Sequence, residues 1–591
     1  MKDVANPNRP YNKWLRYAPL ALIVLMFIVS FVTFVLSLFG WDTKVFSLSA
    51  NLANYIGKNL FYDAYNEWEI KGVFNRVSIY AIYKIATLFT DFGTIQFEKV
   101  SKLIYACIIV GISAMSVALV SKGEKIRKLS LTLFLSTTFL ATSVWNNMQT
   151  EMTCSLLLVL SFALYINAEK AKSRERLKLL LAGCLIASTF YFKSSVIIIS
   201  PVFVAAAYLW DVNHNCKPSW EKFFLLVAGG TFMLAIGLAS ILLLNPEEIQ
   251  DMINASIFEK SLLHGGVITI KQLYRFFYRY LESSRQIPFL MVGTVAYYYN
   301  VALSIKERDY LSTAMHFILW FLPTLFIAIS NCYFVYHYLT FMFPALFEVA
   351  LFAEKDGRIS DKISIAILVI FLASAAFAMA GFAPSFLANV YCLILYILLF
   401  KVVLLSAALA AILSWERVKR AAMTVSLLVA GVLYITLISL FSVNFSANID
   451  LTEEAFNENA KFSTIDFDEP VLYLDDGPGA YFLGADSYLK YSVPLPIMKI
   501  AEDSPYKNVE CRVKTLKTIY KYSGKYITLD KNWIYGSGKN QKNKKIRKKI
   551  EKEYEKVGDI VRYVPETWNI LEPHTKSDFS YIGLYKRKDS K

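Results

Sequence analysis

Apolar stretches close to the ~20 residues that a helix needs to cross a bilayer recur along this chain. They fall at 17–39, 100–120, 129–145, 152–168, 223–244, 289–305, 310–330, 339–354, 363–384, 388–413 and 421–443. This recurrence constrains the fold more than any other feature. A backbone in hydrocarbon must satisfy its own hydrogen bonds, and only helices and closed barrels do so. Of 591 residues, 56% are hydrophobic and 18% charged, too little polar surface to cover a soluble protein of this size. The expected fold class is a polytopic α-helical membrane protein of about 13 transmembrane helices, with a C-terminal extracytoplasmic α+β domain.

The number of spans turns on 179–210, which is long for one helix and is interrupted by Lys193-Ser194-Ser195. Charge decides between one span and a hairpin of two. With the N-terminus inside (Lys2, Arg9, Lys13, Arg16), a hairpin puts 121–128, 169–178, 211–222, 306–309, 355–362 and 416–420 on the cytoplasmic side. The turns 146–151, 331–338 and 385–387, which hold no Lys or Arg, then lie outside. Basic residues concentrate on cytoplasmic loops, so the expectation is thirteen spans, N-in and C-out, in a bacterial-type plasma membrane. The basic N-terminus before 17–39 reads as a signal anchor. The segment 76–90 then cannot cross, and reads as an interfacial or re-entrant helix. The net charge of +15 is accounted for by these linkers, and a nucleic-acid partner is not expected. The seven cysteines show no CxxC pair or Cys/His spacing of a zinc site.

Three pieces face outward: 40–99, 245–287 and everything after about 445. In the second, Leu273, Phe276, Phe277 and Tyr280 suit either a helix lying on the bilayer, with Arg275, Arg279 and Arg285 near phosphates, or an ordinary packed surface helix. In the third (446–591), PVLYLDD, KYITLD and SYIGLYKR read as strands. KKIRKKIEKEYEKVGDIV reads as one amphipathic helix with Ile546, Ile550, Tyr554, Val557 and Val561 on its stripe. Its lysines read as a solvated face.

The stretch Trp41–Arg76 mixes Asp42, Asp63, Glu69, Lys71 and Arg76 with Trp41, Tyr62, Tyr65 and Trp68. Carboxylates can activate an acceptor, cations can hold a phosphate as it leaves, and aromatic rings can stack on a sugar. Each residue also has a plainer reading. Asp42 can cap a helix, Asp63 can serve a turn, and Glu69 and Lys71 can simply pair. Glu151, at the outer start of a span, is a functional candidate because hydrocarbon penalises charge, unless it sits among headgroups. Lys193 can bind a phosphate or snorkel to the interface. Tyr336, His337 and Tyr338 suit an interfacial aromatic belt better than a sugar contact.

The order Asp42, Gly57-Lys58-Asn59-Leu60-Phe61-Tyr62-Asp63, Glu69-Ile70-Lys71-Gly72 and VSIYAIYKIATLF resembles the first outer loop of the GT-C superfamily of polyprenyl-phosphate-dependent glycosyltransferases. The branch concerned holds the protein O-mannosyltransferases and the lipid A aminoarabinose transferase. LLLAGCLIASTFYFKSSVIIISP resembles that family's hairpin ending in Pro, and YFVYHYLTFMFPAL its later span with Tyr and Pro. The chain departs from the pattern at Thr43 (usually Glu), at Val73 (usually Pro) and at His337, where an Arg is usual. The resemblance covers residues 1 to about 445. It implies an inverting transfer from a polyprenyl-phosphate sugar to a glycan, lipid or protein acceptor, with Asp42 as base. Lys71 and Lys193 would contact the donor phosphate, and Asp63, Glu69 and Glu151 would shape the sugar pocket, with Arg76, His337 and Tyr338 also in substrate contact. No cofactor is implied beyond the lipid-linked donor, although the outer acids suit a divalent ion. Two rivals remain. A polysaccharide polymerase or ligase usually carries its large outer loop late in the chain. A transporter or lipid flippase predicts acids near span centres and repeated halves, and no such acid stands out in the sequence.

Overall fold

The computed structural model describes residues 13–36, 73–91, 94–121, 125–140, 148–170, 175–193, 200–214, 219–244, 288–330 and 335–355. In the C-terminal part it describes most of 451–489, 510–531, 543–563 and 579–588, with a few isolated positions elsewhere. The first part is helical: α1 (Lys13–Leu36), α2 (Val73–Ala86), α3 (Ile95–Val120), α4 (Lys125–Leu140), α5 (Thr150–Lys170), α6 (Glu175–Phe192), α7 (Ser200–Asn213), α8 (Trp220–Leu244), α9 (Pro288–Lys306) and α10 (Tyr310–Ser330). A 3-10 turn, Val335–Phe341, then leads into α11 (Met342–Lys355). Four of these helices, within α3, α5, α8 and α10, are long and apolar enough to cross a membrane. The apolar stretches 363–384, 388–413 and 421–443 lie outside the described residues.

The long segment 179–210 breaks where its polar residues predicted. Helix α6 ends at Phe192 and α7 begins at Ser200. Gly183 lies against the Leu226 carbonyl and Gly230 of α8, and Tyr191 of α6 bonds to the Leu234 carbonyl and meets Gly237. Contacts that climb together along both helices mean that α6 and α8 run in the same direction. The chain between them must therefore return, as the hairpin reading demands. The seam is close because Gly183 and Gly229 lack a Cβ, which would collide with the facing backbone in either helix. Small residues set such close approaches between apolar helices.

Contacts give the directions of other helices in the same way. Tyr105 meets Thr153 and Leu119 meets Asn167, so α3 and α5 are parallel. Cys154 meets Thr189 and Asn167 meets Lys178, so α5 and α6 are antiparallel. Gly293 meets Ala345 and Asn300 meets Glu348, so α9 and α11 are parallel. The basic starts of α4 and α6 and the basic ends of α9 and α11 thus share one end of the bundle, as the positive-inside argument expected. The core between is aromatic: Phe162 is met edge-on by Phe203, Trp210, Phe343 and Phe347 at 5.3–5.8 Å. Edge-to-face pairs of this kind add to the area they bury.

Helix α2 has 14 residues, a length of ~21 Å at 1.5 Å per residue, which is short of a bilayer crossing. The second outer segment is visible at a few positions only. There Phe276 and Tyr280 are buried against Tyr338 and Phe341. Of the two readings of this segment, protein packing holds for these two rings and bilayer contact does not.

The C-terminal part carries β1 (Leu472–Leu474), α12 (Pro478–Leu483), α13 (Glu510–Lys521), β2 (Tyr526–Leu529), α14 (Lys544–Glu553), β3 (Tyr554–Tyr563) and β4 (Phe579–Arg587). The sheet order is β1-β2-β4-β3, with β1 and β2 parallel and the rest antiparallel. All three segments read as strands from sequence form strands. The long amphipathic helix is a correction: it stops at Glu553, and the chain continues as β3 with a bulge near Gly558. YEKVGDIVRY pairs along its whole length with β4, and that ladder outweighs the helical period. Val557 is accordingly 47% exposed, off the expected stripe. Asn459 donates its amide to the Val561 carbonyl at 2.6 Å and accepts from the Val561 amide at 2.8 Å. Its side chain thus acts as a one-residue neighbour to the outer strand.

Candidate functional site

The first-loop residues Asp42, Asp63, Glu69 and Lys71 lie outside the described residues. Arg76 falls on the first turns of α2, but its side chain is likewise outside the description. The remaining nominated residues, Glu151, Lys193, His337 and Tyr338, are all in view.

Three of these four converge. Glu151 stands in the first turn of α5. Lys193 follows the last residue of α6, its backbone amide still bonded to the Thr189 carbonyl at 2.9 Å. His337 lies in the 3-10 turn before α11. The Lys193 ammonium is ion-paired with Glu151 Oε1. His337 Nδ1 is 3.0 Å from the same oxygen and 3.4 Å from Lys193 Nζ. Exposure of the three side chains is 0% for Glu151, 4% for Lys193 and 7% for His337. Burial removes three plainer readings: Glu151 is not among headgroups, Lys193 does not snorkel, and His337 is not an interfacial belt residue. All three sit where helices begin or end, at the bundle end opposite the basic linkers.

The arrangement is chemically coherent. One carboxylate oxygen receives the ammonium and, through Nδ1–H, the imidazole, so His337 acts as a donor to Glu151 and not as an acceptor from Lys193. The Lys193 charge also lies 5.6 Å from the centre of the Phe326 ring, within cation–π range. Tyr338 contributes differently. It is fully buried and donates its hydroxyl to the Phe276 carbonyl at 3.1 Å. Ser155, one turn beyond Glu151, donates to the Leu339 carbonyl at 2.7 Å. Together these bonds pin the 3-10 turn that presents His337.

Around the trio the outer ends of the helices hold further buried polar groups that the sequence reading passed over. Thr150 donates to Asn75 Oδ1 at 3.4 Å, joining α5 to α2. Glu98 and Lys102, one turn apart on α3, are both wholly buried. Their face continues to Tyr105, which bonds to Thr153 at 2.7 Å. The i, i+4 spacing of Glu98 and Lys102 was the available signal, because such a pair inside an apolar segment has a reason to turn inward.

A further buried carboxylate corrects the reading that no acid near a span centre stands out. Glu348, inside α11, accepts from His316 Nδ1 of α10 at 2.8 Å and from the Asn300 amide of α9 at 2.7 Å, and all three are fully buried. Among the described residues, no group of three or more His, Cys, Asp or Glu stands close enough to hold a metal ion.

No family model matches the chain, and no curated protein matches it. Among solved structures, ArnT from Cupriavidus metallidurans bound to undecaprenyl phosphate aligns with TM-score 0.48 at 10% identity, over 98% of this chain and 99% of that one. Its apo form aligns with TM-score 0.48 at 12% identity, over 96% and 97%.

Proposed function

We propose that the chain is a membrane glycosyltransferase that moves a sugar from a polyprenyl-phosphate donor to a glycan, lipid or protein acceptor at the outer face. The observation that carries this reading is the buried convergence of Lys193, Glu151 and His337. It lies at the end of the bundle where α2, the helix after the acidic first loop, meets α5 through Asn75 and Thr150. A cation kept out of water attracts a phosphate far more strongly than a solvated one. Its ion pair with Glu151 holds it in place.

In this reading Lys193, with Lys71 from the first loop, binds the donor phosphate. The bond from the anomeric carbon to the phosphate oxygen breaks, and its electron pair leaves with the phosphate. The acceptor oxygen bonds to the opposite face of that carbon and gives its proton to Asp42, inverting the centre. Asp63, Glu69 and Glu151 shape the sugar pocket, with Arg76 and His337 at its edges. A divalent ion, if one takes part, would be held by the first-loop acids.

Asp42→Asn tests the assignment in proteoliposomes supplied with polyprenyl-phosphate sugars. The expected outcome is loss of transfer in a protein that folds and inserts normally, and full activity would remove Asp42 from its role. The buried Glu348–His316 pair favours a second reading, a transporter or lipid flippase, since acids within spans suit a transport path. Movement of a labelled lipid-linked sugar between leaflets without any acceptor would support that alternative.

A further inference from the structure

The sheet of the C-terminal part has two unlike faces. On one, Val471, Tyr473, Ile560, Ile582 and Leu584 pack with Phe462 and Phe482. Phe482, stacked edge-on with Phe456 at 5.3 Å, also packs against the core of the helical bundle. That face therefore looks toward the bundle. On the other face, Leu472, Leu474, Ile527 and Leu529 are covered by α13 and α14 through Ile519, Ile546 and Ile550. These two helices lie side by side on the side turned away from the bundle.

Their outer surfaces are strongly basic. Lys517 and Lys521 of α13 and Lys545, Lys548 and Lys552 of α14 are all exposed, and none has a carboxylate partner among the described residues. The carboxylates of α14 are already engaged, Glu551 with Arg547 at 2.8 Å and Glu553 with Lys549 at 4.0 Å. Lys549 itself closes the end of α13 through the Tyr520 and Tyr522 carbonyls. The cations with structural duties are thus distinct from the five that are left to solvent. Exposed acids gather instead on the segment leading from the bundle, at Glu453, Glu458, Asp466, Asp468 and Glu469.

We infer that the α13–α14 face is a docking surface for an anionic polysaccharide of the outer compartment. Charge complementarity selects a polyanion, and the direction of the face separates it from bilayer headgroups, which lie on the bundle side. The placement outside rests on the positive-inside topology, and the ligand class would make the domain a tether that keeps a charged glycan near the site of the proposed transfer. Such binding falls steeply with added salt, because it releases counterions.

The full chain in nanodiscs of zwitterionic lipid, where both faces are accessible, provides the test. Binding is measured to dextran sulfate, to polygalacturonate and to neutral dextran, without any sugar donor. The wild-type chain should bind both polyanions and not neutral dextran, with affinity falling as salt rises. The variant K517Q/K521Q/K545Q/K548Q/K552Q should lose roughly tenfold or more in affinity, as expected for five exposed cations facing a polyanion, while melting as the wild type does. Three results would overturn the proposal: no polyanion binding at low salt, equal binding by the variant, or capture by these lysines of anionic-lipid vesicles alone. Because no turnover is read, failure here and failure of the glycosyltransferase reading are separate outcomes.

Discussion

Two buried carboxylates in this bundle meet an imidazole Nδ1 at nearly the same distance, 3.0 Å for Glu151 and 2.8 Å for Glu348. Everything else about them differs. The Glu151 group lies where three helices begin or end, and its third member is an ammonium. The Glu348 group lies within the regular parts of α9, α10 and α11, and its third member is an amide that also bonds the Glu348 backbone carbonyl at 3.0 Å. Asn300 therefore directs both hydrogens of its amide to one residue, which suits a clamp between helices. Lys193 adds a full positive charge at a helix end, which suits a place where something arrives. On the proposed function, similar polar chemistry would serve two ends, with position in the helix telling them apart.

The largest expected effect comes from separating charge balance from binding. Lys193→Ala should lower sugar transfer by about 10²–10³, the scale for losing one preorganised electrostatic contact. It should also destabilise the fold, because it leaves Glu151 without its cation. The double variant Glu151→Gln/Lys193→Met removes both charges. It should recover thermal stability in detergent but not transfer, whereas recovery of both would make the outer group a clamp like the inner one.

Next comes the inner group. Glu348→Ala should destabilise the bundle by ~3–5 kcal/mol, the range for breaking a buried pair, with turnover per folded molecule nearly unchanged. Measuring activity against the folded fraction decides this, and a steep loss per folded molecule would shift weight to the transport reading. The smallest effect belongs to the surface pair of Asp468 and Lys525, whose ion pair spans 3.2 Å. The hydrogen bond to Lys525 holds the Asp468 carboxyl below its ordinary range, and the same bond holds Lys525 above its own. The Asp468 contribution is present above the unfolded carboxylate pKa and lost as pH falls through the folded one. The Lys525 contribution is present below the unfolded lysine pKa and lost as pH rises through the folded one. Between those limits Asp468→Asn should leave the melting temperature almost unmoved, as for exposed pairs generally.

Elements whose signal lies within one segment were legible in the sequence. The apolar runs gave α3, α5, α8 and α10 closely, and the polar interruption at Lys193 marked the end of α6. Partnerships were harder, because they join segments far apart: Lys193 is 42 positions from Glu151 and 144 from His337. Glu151 and Lys193 could be nominated singly from the penalty on charge in hydrocarbon, but nothing local said that they share an oxygen. His337 looked like a belt residue because its neighbours are aromatic, and only the packing of Phe276 and Tyr280 around the 3-10 turn turns it inward. Glu348 and His316 hid inside runs whose average is apolar. Residues 554–563 read as helix because Tyr554, Val557 and Val561 recur at a helical spacing, while the partner strand that decides their shape comes later in the chain.

The glycine seam between α6 and α8 has one further consequence. Gly183 and Gly229 set two backbones in direct contact, with no adjustable side chain between them, and Lys193 hangs from the end of that rigid rail. A charge carried by a lipid wanders freely in the plane of its leaflet but hardly at all along the normal. On the proposed function, a rail of fixed length would act as a depth gauge, choosing among lipid-borne anions by how far below the surface they ride.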